Sequence, residues 1–179
     1  MRSASSRWPL LGLVLALAAT VAPSSPAASS GTDRTTVLRA IEKHRAETWR
    51  WQRLMARPLT PAGRSAQRTT SAAYRLWVRD LWRRRAERAR VAASRPPHRT
   101  AWLCIHRYEG PWADPGAPYY GGLQMDLSFQ RTYGLDLLRR KGTANRWTPV
   151  EQMWVAERAL RHGTGFYPWP NAARACGLI

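Results

Sequence analysis

Residues 104–126, reading C-I-H-R-Y-E-G-P-W-A-D-P-G-A-P-Y-Y-G-G-L-Q-M-D, limit what this chain can become more than any other stretch. The segment opens as a helix, because Trp102, Leu103, Ile105 and Tyr108 fall at spacings that share one apolar stripe. That register carries Glu109 to the last turn. Gly110 and Pro111 then end the helix, since Gly tolerates the exit conformation and Pro cannot continue the hydrogen-bond ladder. A carboxyl group there faces the negative end of the macrodipole, which disfavours its ionised form. Tyr108 and Trp112 flank it and are expected to desolvate it further, raising its pKa.

Beyond the helix stop come two Pro-Gly-type breaks and then Tyr119, Tyr120, Gly121, Gly122, Leu123 and Gln124. Paired glycines let a backbone approach a ligand closely. The tyrosines offer flat faces of the kind sugar rings stack on, and Gln124 adds an amide donor and acceptor. A protonated acid beside such a loop has the makings of a general acid working on a glycan.

Five pieces occur in order: E-G-x-W (Glu109 to Trp112), Y-Y-G-G-L-Q (Tyr119 to Gln124), E-Q-M-W-V-A-E-R-A-L (Glu151 to Leu160), W-P (Trp169, Pro170) and a late Cys176. Together they resemble the transglycosylase-like catalytic domain of the actinobacterial resuscitation-promoting factors, peptidoglycan-cleaving relatives of lysozyme. The resemblance spans about residues 100–179. It implies a lysozyme-like fold with a short loop or β segment at the cleft. It also implies a catalytic Glu109 and a glycan-binding set of Trp112, Tyr119, Tyr120, Gly122, Gln124, Asp126, Gln152 and Trp169, with no cofactor and no metal. The chain departs from that pattern in its cysteines. Relatives place one directly before the acid, where Tyr108 stands here, and another just after Trp-Pro. Cys104 and Cys176 are displaced by about one helical turn, one upstream and one downstream, which keeps both on their original faces. As the only two cysteines of a chain read as exported, they are expected to form one disulfide. The acid-to-Trp spacing is also shorter, and Ser128-Phe129-Gln130 replaces the relatives' Ser-Thr-Trp, so no substrate contact is assigned there.

Upstream, residues 1–28 read as a secretory signal: Arg2 and Arg7, an apolar run over 10–21, then small residues suited to cleavage near Ala27 or Ala28. The run is shorter than the roughly 20 residues a membrane span needs. The expected product is a secreted, cell-wall-associated protein with no membrane span after cleavage. Charge is unevenly placed. Residues 28–100 hold 18 basic and 5 acidic residues, net +13, whereas 101–179 hold 9 and 6, net +3. Outside a cell, the natural counter-charges of such a polycation are wall carboxylates and phosphates.

Thr32 and Asp33 are placed to cap a helix running through Val37, Ile41 and Leu54 to about residue 57. Its stripe is interrupted at His44 and Arg45. Residues 58–70 have linker composition. A second helix over about 71–93 sets Tyr74, Trp77, Val78, Leu81, Trp82 and Ala89 on one face and Arg75, Arg79, Arg83 and Arg90 on the other. This implies a basic helical hairpin over 29–97, ahead of a catalytic section over 98–179. The arginine face reads as a solvated basic surface rather than a nucleic-acid site, and the Trp/Tyr stripe as core rather than a sugar platform. The hairpin is then an electrostatic tether, and a chain begun near Pro97 is expected to keep its fold.

His106, three residues before Glu109, is able to tune the acid or hold a metal, but no second ligand pair accompanies it, so it reads as a surface histidine. Asp126 is either a second catalytic carboxylate or a loop-capping residue. Downstream, 127–141 reads as a helix broken at Gly134. Thr148, Pro149 and Glu151 form a helix start with Thr at N-cap, Pro at N1 and Glu at N3, and that helix stops near Gly163. Residues 171–176 are expected to add a turn or two. The fold class expected is mainly α. The function expected is cleavage of peptidoglycan strands between N-acetylmuramic acid and N-acetylglucosamine, the alternative being a wall-binding protein that does not cleave.

Overall fold

The computed structural model describes residues 27–179, and the apolar run of the expected leader lies outside them. The protein is mainly helical. Helix α1 spans Ala27–Leu54, the short α2 Ser65–Arg68, α3 Ala72–Ala93 and α4 Arg99–Glu109. Two-residue strands β1 (Tyr119–Tyr120) and β2 (Met125–Asp126) pair antiparallel, Tyr119 with Asp126 and Tyr120 with Met125. Helices α5 (Leu127–Tyr133) and α6 (Leu135–Lys141) follow, then a 3-10 turn at Ala144–Arg146, α7 (Pro149–Ala159), a π turn at Leu160–Thr164 and α8 (Pro170–Ala175). Thr32 and Asp33 do not cap α1. The helix already runs through them from Ala27, where the described residues begin, so neither stands at an N-cap position.

The basic helices are not a hairpin. Val37 and Ile41, early in α1, pack against Val78 and Trp82, early in α3. Leu54 and Met55, at the end of α1, share a core with Ala93, at the end of α3. Contacts rise together along both helices, so α1 and α3 run parallel. The connection between them returns along α1: Thr60 bonds Gln52 (2.7 and 3.0 Å) and accepts from Trp49 Nε1 (2.8 Å). Further back, Gln67 donates to Glu42 (3.1 Å) and its carbonyl accepts from Arg34 (2.9 Å). Tight antiparallel helix pairs use loops of about 2–5 residues, and the long return segment here permits the parallel arrangement instead.

The buried face of α3 also differs from the expected stripe. Arg75, Val78, Trp82, Ala86 and Ala93 are buried, while Tyr74 and Trp77 are exposed. Small Ala86 and Ala93 let the helices approach, and arginine stems cover apolar surface readily. Arg75 donates to the Thr69 carbonyl (2.9 Å). Arg45, also buried, pairs with Glu42 (2.9 Å) and lies over the rings of Trp49 and Trp82.

The far ends of α1 and α3 are built into the C-terminal section. Leu54, Met55 and Ala93 belong to the same buried cluster as Trp102, Ile105, Leu123, Trp154 and Trp169. Trp154 Nε1 donates to the Ala93 carbonyl (2.6 Å). Arg158 donates to the carbonyls of Arg53 and Leu54 (both 3.0 Å), and Arg161 to that of Met55 (3.1 Å). Guanidinium groups from α7 and the π turn thus cover the last carbonyls of α1, of which that of Arg53 also accepts from the Ala56 amide (3.0 Å). The division expected at residues 97–98 therefore runs across a shared core.

The start of α7 follows expectation: Thr148 and Glu151 form a reciprocal capping box with Pro149 in the first turn. Gly134 separates α5 from α6.

Candidate functional site

Helix α4 sets the position of Glu109. Trp102 and Ile105 are fully buried, and Glu109 follows at the same helical spacing, so the acid extends the buried face. Buried Glu157 fixes the other end of α4. It accepts from the His98 amide (2.7 Å) and from Trp102 Nε1 (2.9 Å). The Cys104–Cys176 disulfide, with Cα atoms 6.0 Å apart, ties α4 to the end of α8. Tyr108, expected on the apolar stripe, is 61 % exposed instead. It stands a quarter-turn off the Trp102–Ile105 direction, toward solvent.

The chain leaves α4 at Gly110, whose φ of 137° lies in the region that favours glycine. The loop that follows is organised by Asp114, a residue the sequence reading passed over. Its Oδ1 accepts from the Gly116 amide (2.9 Å), its Oδ2 from Gln124 Nε2 (2.8 Å), and its carbonyl from the Gly121 amide (2.8 Å). The signal was present, since Asp-Pro-Gly is a turn in which the Asp side chain bonds the backbone two residues on.

The Y-Y-G-G-L-Q motif forms the β1–β2 hairpin and is held from beneath by four side chains. His106 stacks on Trp112 with ring centroids 4.0 Å apart. Its Nδ1 lies 3.2 Å from the Gly122 carbonyl, which can only accept, so Nδ1 carries the proton of that bond. Gln152 donates to the Trp112 carbonyl (2.8 Å), Trp169 Nε1 to the Leu123 carbonyl (2.6 Å), and Gln130 Nε2 to the Met125 carbonyl (2.7 Å). The glycines are required by contact. A Cβ on Gly122 would stand 2.6 Å from His106 Nδ1 and 2.8 Å from the Trp112 ring, and one on Gly121 would stand 2.6 Å from Gln152 Oε1.

These placements divide the expected glycan-binding set. Tyr119 is exposed, and Trp112 and Tyr120 are half-buried, so these three present ring surface outward. Gln152 (0 % exposed) and Trp169 (3 %) are interior struts that shape the loop without reaching its surface. Gln124 commits its amide to Asp114 and to the Gly121 carbonyl (3.0 Å). Asp126 caps α5, its Oδ1 accepting from the Phe129 amide (2.7 Å).

Electrostatically, Glu109 is unlike every other carboxylate in 98–179. Asp136 meets Arg158 and Arg140, Glu151 meets Lys141 and Thr148, and Glu157 meets His98 and Trp102. Asp114 and Asp126 hold backbone and amide donors. Among the side-chain carboxylates of the described residues, Glu109 alone has no hydrogen-bond or ion-pair partner. Partial burial holds its carboxyl above the ordinary glutamate range, with no opposing positive charge to pull it back.

Compared with family models, with curated proteins and with solved structures, the chain matches none. Among the described residues no helix is long and apolar enough to cross a membrane.

Proposed function

We propose that this chain is an exported, cell-wall-associated enzyme of lysozyme-like kind. It cleaves peptidoglycan between N-acetylmuramic acid and N-acetylglucosamine as a lytic transglycosylase, with Glu109 as its only catalytic residue. The observation that carries the reading is the isolation of Glu109: a half-buried, proton-favouring carboxyl without a partner, at a helix end beside a glycine-dependent loop. The motif resemblance supports the same assignment. In the reaction, protonated Glu109 donates to the glycosidic oxygen as the bond from C1 breaks. The resulting carboxylate takes the proton of the muramoyl 6-hydroxyl while O6 bonds to C1. A 1,6-anhydro ring forms without water, and Glu109 ends with its proton restored. Trp112, Tyr119 and Tyr120 offer the ring faces along which sugars stack. The arginines of α1 and α3 hold the protein to anionic wall polymers, and no cofactor or metal enters the scheme.

The test is digestion of purified sacculi, with products identified by mass spectrometry. Soluble anhydro-muropeptides are expected, and Glu109→Gln should release them about a hundredfold more slowly or worse, the usual scale of general acid catalysis. Products with a reducing-end muramic acid would keep the enzyme and overturn the single-acid route. The competing reading, a wall-binding protein without catalysis, is favoured by the inward commitment of Gln124, Gln152 and Trp169. It predicts sacculus pull-down with no release from either form.

A further inference from the structure

The outer face of α3 carries an aromatic pair that the fold does not use. Tyr74 and Trp77 are 38 % and 54 % exposed, and their rings stack with centroids 5.6 Å apart and planes 28° from parallel. The Tyr74 hydroxyl donates to Ser65 Oγ (3.0 Å), which fixes the pair against α2. The core of the helix pair is complete without them, through Val78 and Trp82. Adjoining exposed aromatics mark contact sites more often than isolated apolar residues do.

The charges beside this surface are ordered. Counting along α3 from Trp77, steps of seven and eleven residues bring Arg84 and Arg88 onto the same helix face, about 10 and about 16 Å along the axis. Both are exposed, and among the described residues neither has a carboxylate partner. The neighbouring acids are already engaged: Asp80 is shared between Arg79 (3.0 Å) and Arg83 (3.7 Å), and Glu87 pairs with Arg90 (2.7 Å). One exposed ring followed by two free guanidinium groups in line fits a linear polymer that repeats a flat apolar face and an anion.

We propose that Tyr74, Trp77, Arg84 and Arg88 form a carbohydrate-binding surface for a linear acidic polysaccharide, sugar faces on Trp77 and acid groups on the two arginines. The proposal does not depend on the cleavage chemistry and rests on the wall-associated reading only for where such a polymer is met. A sugar suits the pair better than a nucleobase does. Single-strand binders stack successive bases on successive aromatics, whereas beyond Trp77 the only aromatic of α3 is the buried Trp82.

Isothermal titration of the mature full-length chain tests this with four polymers: polygalacturonate, neutral dextran, polyphosphate and an oligothymidylate. Polygalacturonate should bind better than dextran. Trp77→Ala should weaken it about two- to tenfold, the scale of one aromatic stacking contact, and should leave polyphosphate binding unchanged. Trp77→Phe keeps a flat ring and should recover most of the loss. Arg84→Gln with Arg88→Gln should flatten the salt dependence of polygalacturonate binding. Because Trp77 lies outside the core, its variants should melt with the wild type. Equal binding by Trp77→Ala and wild type, or an equal loss on polyphosphate, overturns the proposal. Tighter, Trp77-dependent binding of the oligothymidylate overturns it in favour of a nucleic-acid surface.

Discussion

A chain begun at Pro97 should fail to fold as the C-terminal section folds in the whole protein, although composition and charge mark 97 as a boundary. The deletion removes Leu54, Met55 and Ala93 from the cluster that holds Trp102, Trp154 and Trp169. Losing two large buried side chains gives up about 1.5–3 kcal/mol each in transfer terms alone. It also strands Trp154 Nε1, whose acceptor is the Ala93 carbonyl, and removes the α1 carbonyls from Arg158 and Arg161, although Arg158 keeps Asp136 and the Tyr133 carbonyl. A stranded neutral donor costs about 1–3 kcal/mol, and a charged one more. Together these losses reach about 6 kcal/mol, within the whole stability of a typical domain, about 5–15 kcal/mol.

Point variants separate this account from mere sensitivity to truncation. Met55→Ala should destabilise the intact protein by about 2–5 kcal/mol, as one cooperative transition seen alike by far-UV and near-UV dichroism. Val37→Ala, at the other end of the parallel pair, should leave the environment of Trp154 and Trp169 unchanged in the folded state. A soluble 97–179 fragment with a cooperative melt at the full-length temperature would refute the reasoning. So would a Met55→Ala protein whose C-terminal tryptophan signals melt at the wild-type temperature.

Other outcomes follow from single contacts. Gly122→Ala drives a methyl group into the stacked His106–Trp112 pair and should cost about 1–3 kcal/mol by overpacking, whereas Gly63→Ala, with its nearest neighbour 3.9 Å away, should be close to neutral in the same thermal melt. Reducing Cys104–Cys176, which closes a 72-residue separation, should cost about 4 kcal/mol on the chain-entropy model, and thiol titration of the native protein should find no free cysteine. Burial raises the Glu109 pKa in the folded state, so its contribution to stability is full below the unfolded value and is lost as pH rises through the folded one. Denaturant titrations across that window should therefore show Glu109→Gln gaining stability relative to wild type as pH increases.

Local signals carried the C-terminal section well. Thr148, Pro149 and Glu151 specify their own helix start, and Gly134 its break, because both depend on a few neighbouring residues. The cysteine pairing followed from there being only two. What the sequence left obscure depends on distant partners. Hydrophobicity alone put Tyr74 and Trp77 inside and Arg75 outside. The structure reverses this, since close approach of α1 selects the face with Ala86 and Ala93 and arginine stems fill the edges. The parallel course of α1 and α3 was hidden in the length of the 55–71 connection, whose hydrogen bonds back onto α1 have no periodic signature. At the site, the motif pointed to Gln124, Gln152 and Trp169 without saying which way they face. Their direction is set by the Asp114 carboxylate and by the carbonyls of Trp112 and of Leu123, and these converge only in three dimensions.

Whether the proposed reaction uses water turns on a second carboxylate, and the two near the motif differ in how they can be tested. Hydrolysis ordinarily needs such a group as nucleophile or as base for water. Asp114 has both oxygens engaged, by the Gly116 amide and by Gln124, and releasing either undoes the turn that shapes the loop. Asp126 uses Oδ1 to cap α5, a task asparagine performs about as well. Asp126→Asn therefore removes the charge and keeps the helix start, which makes it the clean experiment. On the single-acid route it should retain most of the wild-type rate on sacculi, while Glu109→Gln loses about a hundredfold or more. Asp126→Ala should lose about 1 kcal/mol of stability through the cap, yet still cleave when assayed well below its melting temperature. A rate in Asp126→Asn as low as that of Glu109→Gln, with an unchanged melt, would make Asp126 the partner in a hydrolysis and end the case for an acid acting alone.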